Sequence, residues 1–349
     1  MNVVKLPKYL EPLTTTYSIN ANACSLIMTD QKNYGFLLNT FILPIIENNG
    51  YIKYHDFFYR NCPLINSQKI SLEVIQRFFK KITDFIIFAI DNQQYVMIPI
   101  DNFYIEAYKT EHHFSHALFI YGYNLNENLF FISDNFENGV YQNKSCSFNE
   151  LEKAYNSFNL NNDPGENHQY YKSLFQNCIE LLSIYTNVNT KTIFEPYVVK
   201  ELLIDYLNSH ATNMWNYENR IWGKSELHNV RYGISCYEKI IDKCTNALVS
   251  GDFGYGGIQG LYFVCDHKRI MVKRLEFMID NKFINNGQIY HEAYIKLQND
   301  CLNNLNLAIK FLLKKDMNII NKLINHYKDI HDQEQWLLTK LIKDNDIIV

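Results

Sequence analysis

A thiol, an imidazole and a carboxylate stand at positions that one fold could bring together. His116 opens the apolar run His116-Ala-Leu-Phe-Ile-Tyr-Gly-Tyr123. Asp134 closes Leu129-Phe-Phe-Ile-Ser-Asp134, and the polar stretch Asn124–Asn128 joins the two. Two apolar runs around a short polar turn read as a β-hairpin. With the turn centred on Asn126, residue 118 faces residue 134. His116 and Asp134 are then diagonal neighbours on one face, roughly 7–8 Å apart at Cα, a gap two side chains can close. A carboxylate bonded to one ring nitrogen fixes the tautomer and leaves the other to act as base. Cys24, after Asn20-Ala-Asn-Ala, supplies a thiol whose thiolate is the attacking form.

Each residue also has a plainer reading. Cys24 can be a small buried apolar side chain, although a helix opening after Asn22 would place it where a helix N-terminus lowers a thiol pKa. His116 can be a histidine bonded to backbone. Asp134 and Asn135 are residue types common at strand ends, and Asn135 would point to the opposite face. Asn22 can cap a helix or turn. Beside the Cys24 backbone N–H it could also donate to an oxyanion.

These residues need a frame. The 349 residues suffice for two domains, and 47% apolar content supports sizeable cores. A net charge of −4, with no long Lys/Arg cluster, speaks against nucleic acid as a partner. The eight cysteines include no CxxC pair and read as reduced thiols. No signal peptide is apparent, and the apolar runs Phe41–Ile46 and Phe85–Ile90 are too short to span a bilayer. The expectation is a soluble, cytoplasmic protein.

Along the chain, Ser71–Thr83 has near-helical apolar spacing with Ser71 as N-cap. Asp84–Ile90 and Gln94–Ile100 read as a strand pair around Asp91-Asn-Gln. Phe103–Tyr108 and Ala117–Tyr123 continue the sheet, and Asn149–Phe158 is a helix. Asn161–Asn167 is the clearest linker. Beyond it, Tyr170–Tyr185, Pro196–Ser209, Tyr232–Ser250, Ile258–Lys282, Ile289–Leu313 and Ile319–Lys343 all read as helices, with Gly251 a C-cap. The expected architecture is α+β: an antiparallel-sheet domain over residues 1–162, then an all-helical domain over 163–349.

Cys24, His116-Ala-Leu-Phe-Ile-Tyr-Gly-Tyr123 and Ile132-Ser-Asp134 together resemble the papain-like superfamily, in particular its peptidase-C39-like and butirosin-biosynthesis-H-like proteins. Tyr51–Pro63, with Asp56-Phe-Phe-Tyr59 and Cys62-Pro63, and Asp101-Asn-Phe-Tyr-Ile105 are similar to members found beside nonribosomal peptide genes. The resemblance covers residues 15–160, and the helical half matches in general character. It implies a papain-like N-terminal domain and acyl transfer. Cys24 would be nucleophile, His116 base and Asp134 orienter. An acyl group would pass from a carrier-protein thioester to the thiol and then to a small amine, a diamine included. The implied partner is a peptidyl or acyl carrier protein bearing phosphopantetheine, with no cofactor or metal bound by the enzyme itself. Papain-like enzymes often place a Gln before the thiol. Here Asn20 and Asn22 stand instead, which leaves the oxyanion donor open, with Asn22 the candidate.

Other constellations carry less. His112, His113, His116 and Asp134 are metal-ligand types, but on a strand His113 leaves the face that His112 and His116 share. Cys244, Cys265 and His267 lack zinc spacing. Gly251–Gly260 contains GxxGxGG without the Lys-Ser/Thr of a phosphate loop; a turn between helices and a mobile gate both fit. Two further functional readings stay open, a cysteine peptidase of the same fold and a non-catalytic binding protein with a vestigial triad.

Overall fold

A computed structural model describes residues 2–47, 50–159, 175, 177–185, 193–212, 230–254 and 256–345. The chain divides into two compact units. A sheet unit comprises Met1–Gln31 and Tyr59–Lys191, and a helical unit comprises Lys32–Phe58 and Thr192–Val349. The protein is therefore α+β with a helical C-terminal region. Among the described residues no helix is long and apolar enough to cross a membrane.

With elements numbered along the chain, the sheet unit contains β1 (Val3–Lys5), α1 (Ser18–Ile27), β4 (Ile65–Ser71), α3 (Leu72–Phe78), α4 (Ile82–Asp91), β5 (Tyr95–Asp101), β6 (Ser115–Asn124), β7 (Leu129–Asn135), β8 (Tyr141–Ser147), α5 (Phe148–Asn159) and β9 (Cys178–Ile184). Its antiparallel sheet runs β4-β9-β5-β6-β7-β8, and β1 pairs with the far end of β6. Central β5, Tyr-Val-Met-Ile-Pro-Ile-Asp, is buried at every position, as expected of a strand covered on both faces. Successive strand residues point to opposite faces. On one face of β7, Ser133 and Asn135 meet α1 and the segment before it. On the other, the Phe130 and Phe148 rings pack at 4.4 Å, and Tyr123 reaches Asp91 at the end of α4.

Several expected boundaries change. Asp84–Ile90 is not a strand but part of α4. Its buried residues Ile82, Phe85, Ile86, Ala89 and Ile90 fall at helical spacing, which a short, densely apolar run conceals. Cys178–Ile184, expected in a helix, is the buried strand β9 between β4 and β5, an instance of the same ambiguity. Phe103–Tyr108 forms two 3-10 turns. Asp101 caps the first, accepting from Phe103 N at 3.1 Å. The helix from Ser71 starts as expected, with Ser71 Oγ accepting from Glu73 N, but stops at Phe78.

The helical unit contains α2 (Tyr34–Leu37), α6 (Pro196–Leu207), α7 (Cys236–Ser250), α8 (Gly257–Asp280), α9 (Gly287–Lys314) and α10 (Met317–Asp344). It also holds a three-stranded sheet of β10 (Arg231–Tyr232), β2 (Pro44–Ile46) and β3 (Ile52–Tyr54). The long helices match expectation, and Gly251 ends α7 with φ +76°. The division at residue 162 does not hold: residues 32–58 fold with the helices, and β9 completes the sheet beyond that boundary. The second half is accordingly not all helical. The Asn161–Asn167 linker lies outside the described residues.

Buried charge organises the helical core. Glu334, fully buried, accepts from Lys268 Nζ at 2.5 and 2.6 Å, Tyr206 at 2.8 Å, Tyr237 at 2.9 Å and Tyr294 at 3.2 Å. Lys268 Nζ also lies 3.0 Å from His267 Nδ1, and His267 Nε2 reaches Ile42 O at 2.9 Å. Every member has a partner, the condition for burying such groups at tolerable cost.

Candidate active site around His116 and Asp134

The hairpin forms with one device the sequence reading lacked. Near the turn, Asn124 pairs with Leu129 and Gly122 with Phe131. A bulge at Tyr121 then shifts the register, so that Phe119 pairs with Ser133. That is the register expected at the His116 end. A bulge adds one residue to one strand and restores the alternation on its far side. Gly122 beside it is required sterically, since a Cβ there would lie 2.4 Å from Val4 O of β1.

His116 and Asp134 meet on one face. His116 Nε2 lies 3.1 Å from Asp134 Oδ1 and 3.0 Å from Oδ2. Asp134 is fully buried and accepts two further hydrogen bonds, from Tyr108 Oη at 2.5 Å and from Asn135 N at 2.7 Å. The His116 side chain keeps 22% of its surface exposed. Tyr108 stands edge-on to the imidazole at 6.0 Å and Phe114 lies 6.4 Å away. Burial pushes the His116 pKa down, but the charge and hydrogen bond of Asp134 more than offset it, so the net shift is upward. With Nε2–H donated to the carboxylate, the lone pair of the neutral ring sits on Nδ1.

Cys24 is placed differently from expectation. Helix α1 opens at Ser18, not after Asn22, with Tyr17 at its N-cap. Cys24 is thus in the helix interior and fully buried. The influence of a helix dipole fades beyond the first turn, so that source of thiol activation is lost. The neighbouring Asn22 faces Ser133, which alternates with Asp134 along β7. Asn22 Oδ1 accepts from Ser133 Oγ at 2.9 Å and Tyr141 Oη at 2.6 Å, and its Nδ2 reaches Ser133 O at 3.4 Å. Asn22 is neither a cap nor a donor aimed at a vacant oxyanion position; its amide ties α1 to β7 and β8. Asn135 points away from His116, as expected, and donates to Thr15 O and Thr16 O. The structure therefore joins His116 to Asp134 and sets the helix of Cys24 on the opposite face of β7.

A second histidine–aspartate pair lies near the start of β6. His113 Nδ1 is 2.6 Å from Asp101 Oδ2, and Ser157 Oγ donates to the same oxygen at 3.0 Å. His113 stacks on Phe103 at 4.2 Å with its side chain half-exposed. The two imidazoles thus serve different carboxylates. Among the described residues no group of three or more His, Cys, Asp or Glu side chains is arranged to hold a metal. Tyr108 was missed by sequence reasoning; its signal, an aromatic between two turns, is shared with many core residues. Neither a scan of protein-family models nor a search of curated proteins finds a match to this chain.

Proposed function

We propose that the sheet unit is a papain-like acyl-transfer domain that forms amide bonds in natural-product assembly. The observation that carries this reading is the buried Asp134 carboxylate holding Nε2 of a partly exposed His116. That arrangement sets the tautomer of a base and stabilises its protonated form. The proposed cycle requires a rearrangement that brings the Cys24 thiol to the His116 side of β7, where the imidazole takes its proton. The thiolate attacks the carbonyl of a carrier-bound thioester, and a Cys24–acyl bond replaces the bond to phosphopantetheine. The carrier thiol leaves with the proton from the imidazolium. An amine then attacks the acyl-enzyme, His116 takes its proton, and Cys24 is regained as the thiol. A carrier protein, a small amine acceptor and a cytoplasmic setting belong to this reading. Among such enzymes the closthioamide amide synthase is one that the motifs around Cys24, His116 and Asp134 resemble.

A second reading has a specific observation in its favour. A thiol buried inside α1, on the far side of β7 from His116, suits a binding protein whose triad no longer operates. Intact-protein mass spectrometry after exposure to a loaded carrier separates the two. Acyl transfer requires an adduct that maps to Cys24, disappears in Cys24→Ala and His116→Ala, and is discharged by amines. Peptide cleavage without amide formation would indicate a peptidase instead. Neither an adduct nor peptide cleavage in the wild-type protein would support the binding-protein reading.

A further inference from the structure

The face of the sheet opposite His116 carries two lysines on one aromatic shelf. Lys8 Nζ donates to Tyr141 Oη at 2.7 Å and Asn143 Oδ1 at 2.6 Å, with the Tyr121 and Tyr141 rings 5.4 and 4.9 Å from it. Lys5 Nζ stands 3.9 Å over the Phe131 ring, which lies 6.2 Å from the Tyr121 ring. The strand register sets the two ammoniums over neighbouring positions. Phe131, under Lys5, pairs with Ser145, and Asn143, bonded to Lys8, pairs with Ser133. Ser145 and Asn143 lie two residues apart on β8, so they share a face about 7 Å apart. One tetrahedral oxyanion and two flexible lysine stems span such a gap.

The charge on this face is one-sided. The side chains around the two lysines are Tyr121, Phe131, Ser133, Tyr141, Asn143 and Ser145, none of them acidic. Among the described residues no carboxylate pairs with Lys5 or Lys8. Tyr141 Oη donates onward to Asn22 Oδ1 and therefore accepts from Lys8. An ammonium has three N–H bonds. Lys8 spends two on its acceptors and keeps one, while Lys5 is exposed and keeps its donors. Burial pulls the Lys8 pKa down, whereas its two acceptors and two ring faces favour the charged form. A bound anion would tip that balance further toward the ammonium.

We propose that this shelf binds a phosphate group between Lys5 and Lys8, as inorganic phosphate or as the monoester of a small molecule. A dianion matches two ammoniums, and each lysine supplies a charge-assisted hydrogen bond. The inference uses neither Cys24 nor His116 and stands whether or not the sheet unit transfers acyl groups.

The test titrates the full-length protein at pH 7 with inorganic phosphate and with glycerol 3-phosphate, by calorimetry. Saturable binding at one site is expected, weakening as chloride is raised. Tighter binding of the ester would identify a phosphorylated metabolite as the ligand, and equal binding would identify phosphate itself. Lys8→Gln should weaken binding at least about tenfold and Lys5→Gln at least about threefold, since each removes one charged donor. Lys8→Arg keeps the charge and should stay within about threefold of wild type. Lys340→Gln, a change in the helical unit beside Trp336, should leave binding as it was. Lys5 is exposed, so its variant tests the site even where Lys8→Gln does not fold. Absence of saturable binding overturns the proposal. So does binding that survives the loss of both lysines, which would mean an adventitious ion only.

Discussion

Asp134 in the sheet unit and Glu334 in the helical unit are both fully buried carboxylates, and they end in opposite ways. Glu334 is enclosed by Lys268 and three tyrosines, each itself buried. Asp134 has a tyrosine and a backbone N–H on one side and a partly exposed, titratable imidazole on the other. One network is sealed; the other opens to solvent through a group that can change charge. A sealed network holds a core together, whereas an open one can exchange a proton with a substrate. Buried charge alone is therefore no sign of a functional site, and the end of the network decides.

The largest effect tests the seal. Lys268→Met removes the cation and leaves Glu334 with tyrosines alone. Stripping one partner from a buried ion pair costs about 3–5 kcal/mol, so chemical denaturation should show a loss of that order. A loss below about 1 kcal/mol would mean that water or another cation reaches Glu334. The contrast with Asp134 would then fail.

Asp56 sharpens the comparison from a third side, since it is enclosed yet unsatisfied. Its Oδ2 accepts from Ile42 N at 2.8 Å, while buried Oδ1 has no hydrogen-bond partner. Burial raises its pKa from 3.8 to about 6, tempered by the Ile42 N–H and the charge of Arg274. The Tyr54 hydroxyl nearby also lacks a partner. Because the folded pKa lies above the unfolded one, the folded state holds this proton more tightly. The Asp56 contribution favours folding below about pH 4 and is lost as pH rises from 4 to 6 and beyond. The loss is at most about 3 kcal/mol, and less where solvent screens the carboxylate. Asp56→Asn should accordingly stabilise the protein at pH 7 and gain little at pH 4. Equal effects at both values would show that the charge is not the cause.

How far these networks were legible in sequence follows from the range of the interactions that make them. The His116–Asp134 pair was legible because strand alternation and one turn carry it, all within about twenty residues. The expected turn was one position off, and the bulge at Tyr121 cancelled the error. The start of α1 was illegible because Tyr17 caps it without a side-chain bond. Glu334 meets tyrosines 40, 97 and 128 positions away, and no local pattern announces such contacts. The joining of residues 32–58 to the helices is long-range in the same way. Asp84–Ile90 failed for a different reason, a run so apolar that two periodicities fit it.

The open network should reveal itself by titration. In the wild-type protein the His116 imidazole, followed by NMR, should titrate above the ordinary histidine value, because Asp134 outweighs burial. In Asp134→Asn the carboxylate charge is gone and burial remains, so the pKa should fall below that value. The stability effect has a definite sign. A histidine whose folded pKa is raised stabilises the fold fully below its unfolded pKa, and this is lost as pH rises through the folded one. Asp134→Asn should therefore cost more stability at pH 5 than at pH 9. A His116 pKa unmoved by the substitution would show that the two groups, though in contact, are not coupled.

The smallest effect is the most discriminating. Tyr108→Phe and Tyr237→Phe each remove one hydroxyl donor from a buried carboxylate, at 2.5 Å from Asp134 and 2.9 Å from Glu334. Each should cost about 1.5–3 kcal/mol, the range for a hydrogen bond to a charged group, so stability alone does not distinguish the two. Titration does. Without the Tyr108 donor the Asp134 carboxylate is less stabilised and interacts more strongly with the imidazolium, so the His116 pKa should rise further. Tyr237→Phe should leave His116 unchanged, because Glu334 reports to no exposed imidazole. If Tyr108→Phe also leaves the His116 titration in place, Tyr108 merely fills space beside Asp134. The carboxylate's strength as a partner would then be set by His116 and the Asn135 N–H alone.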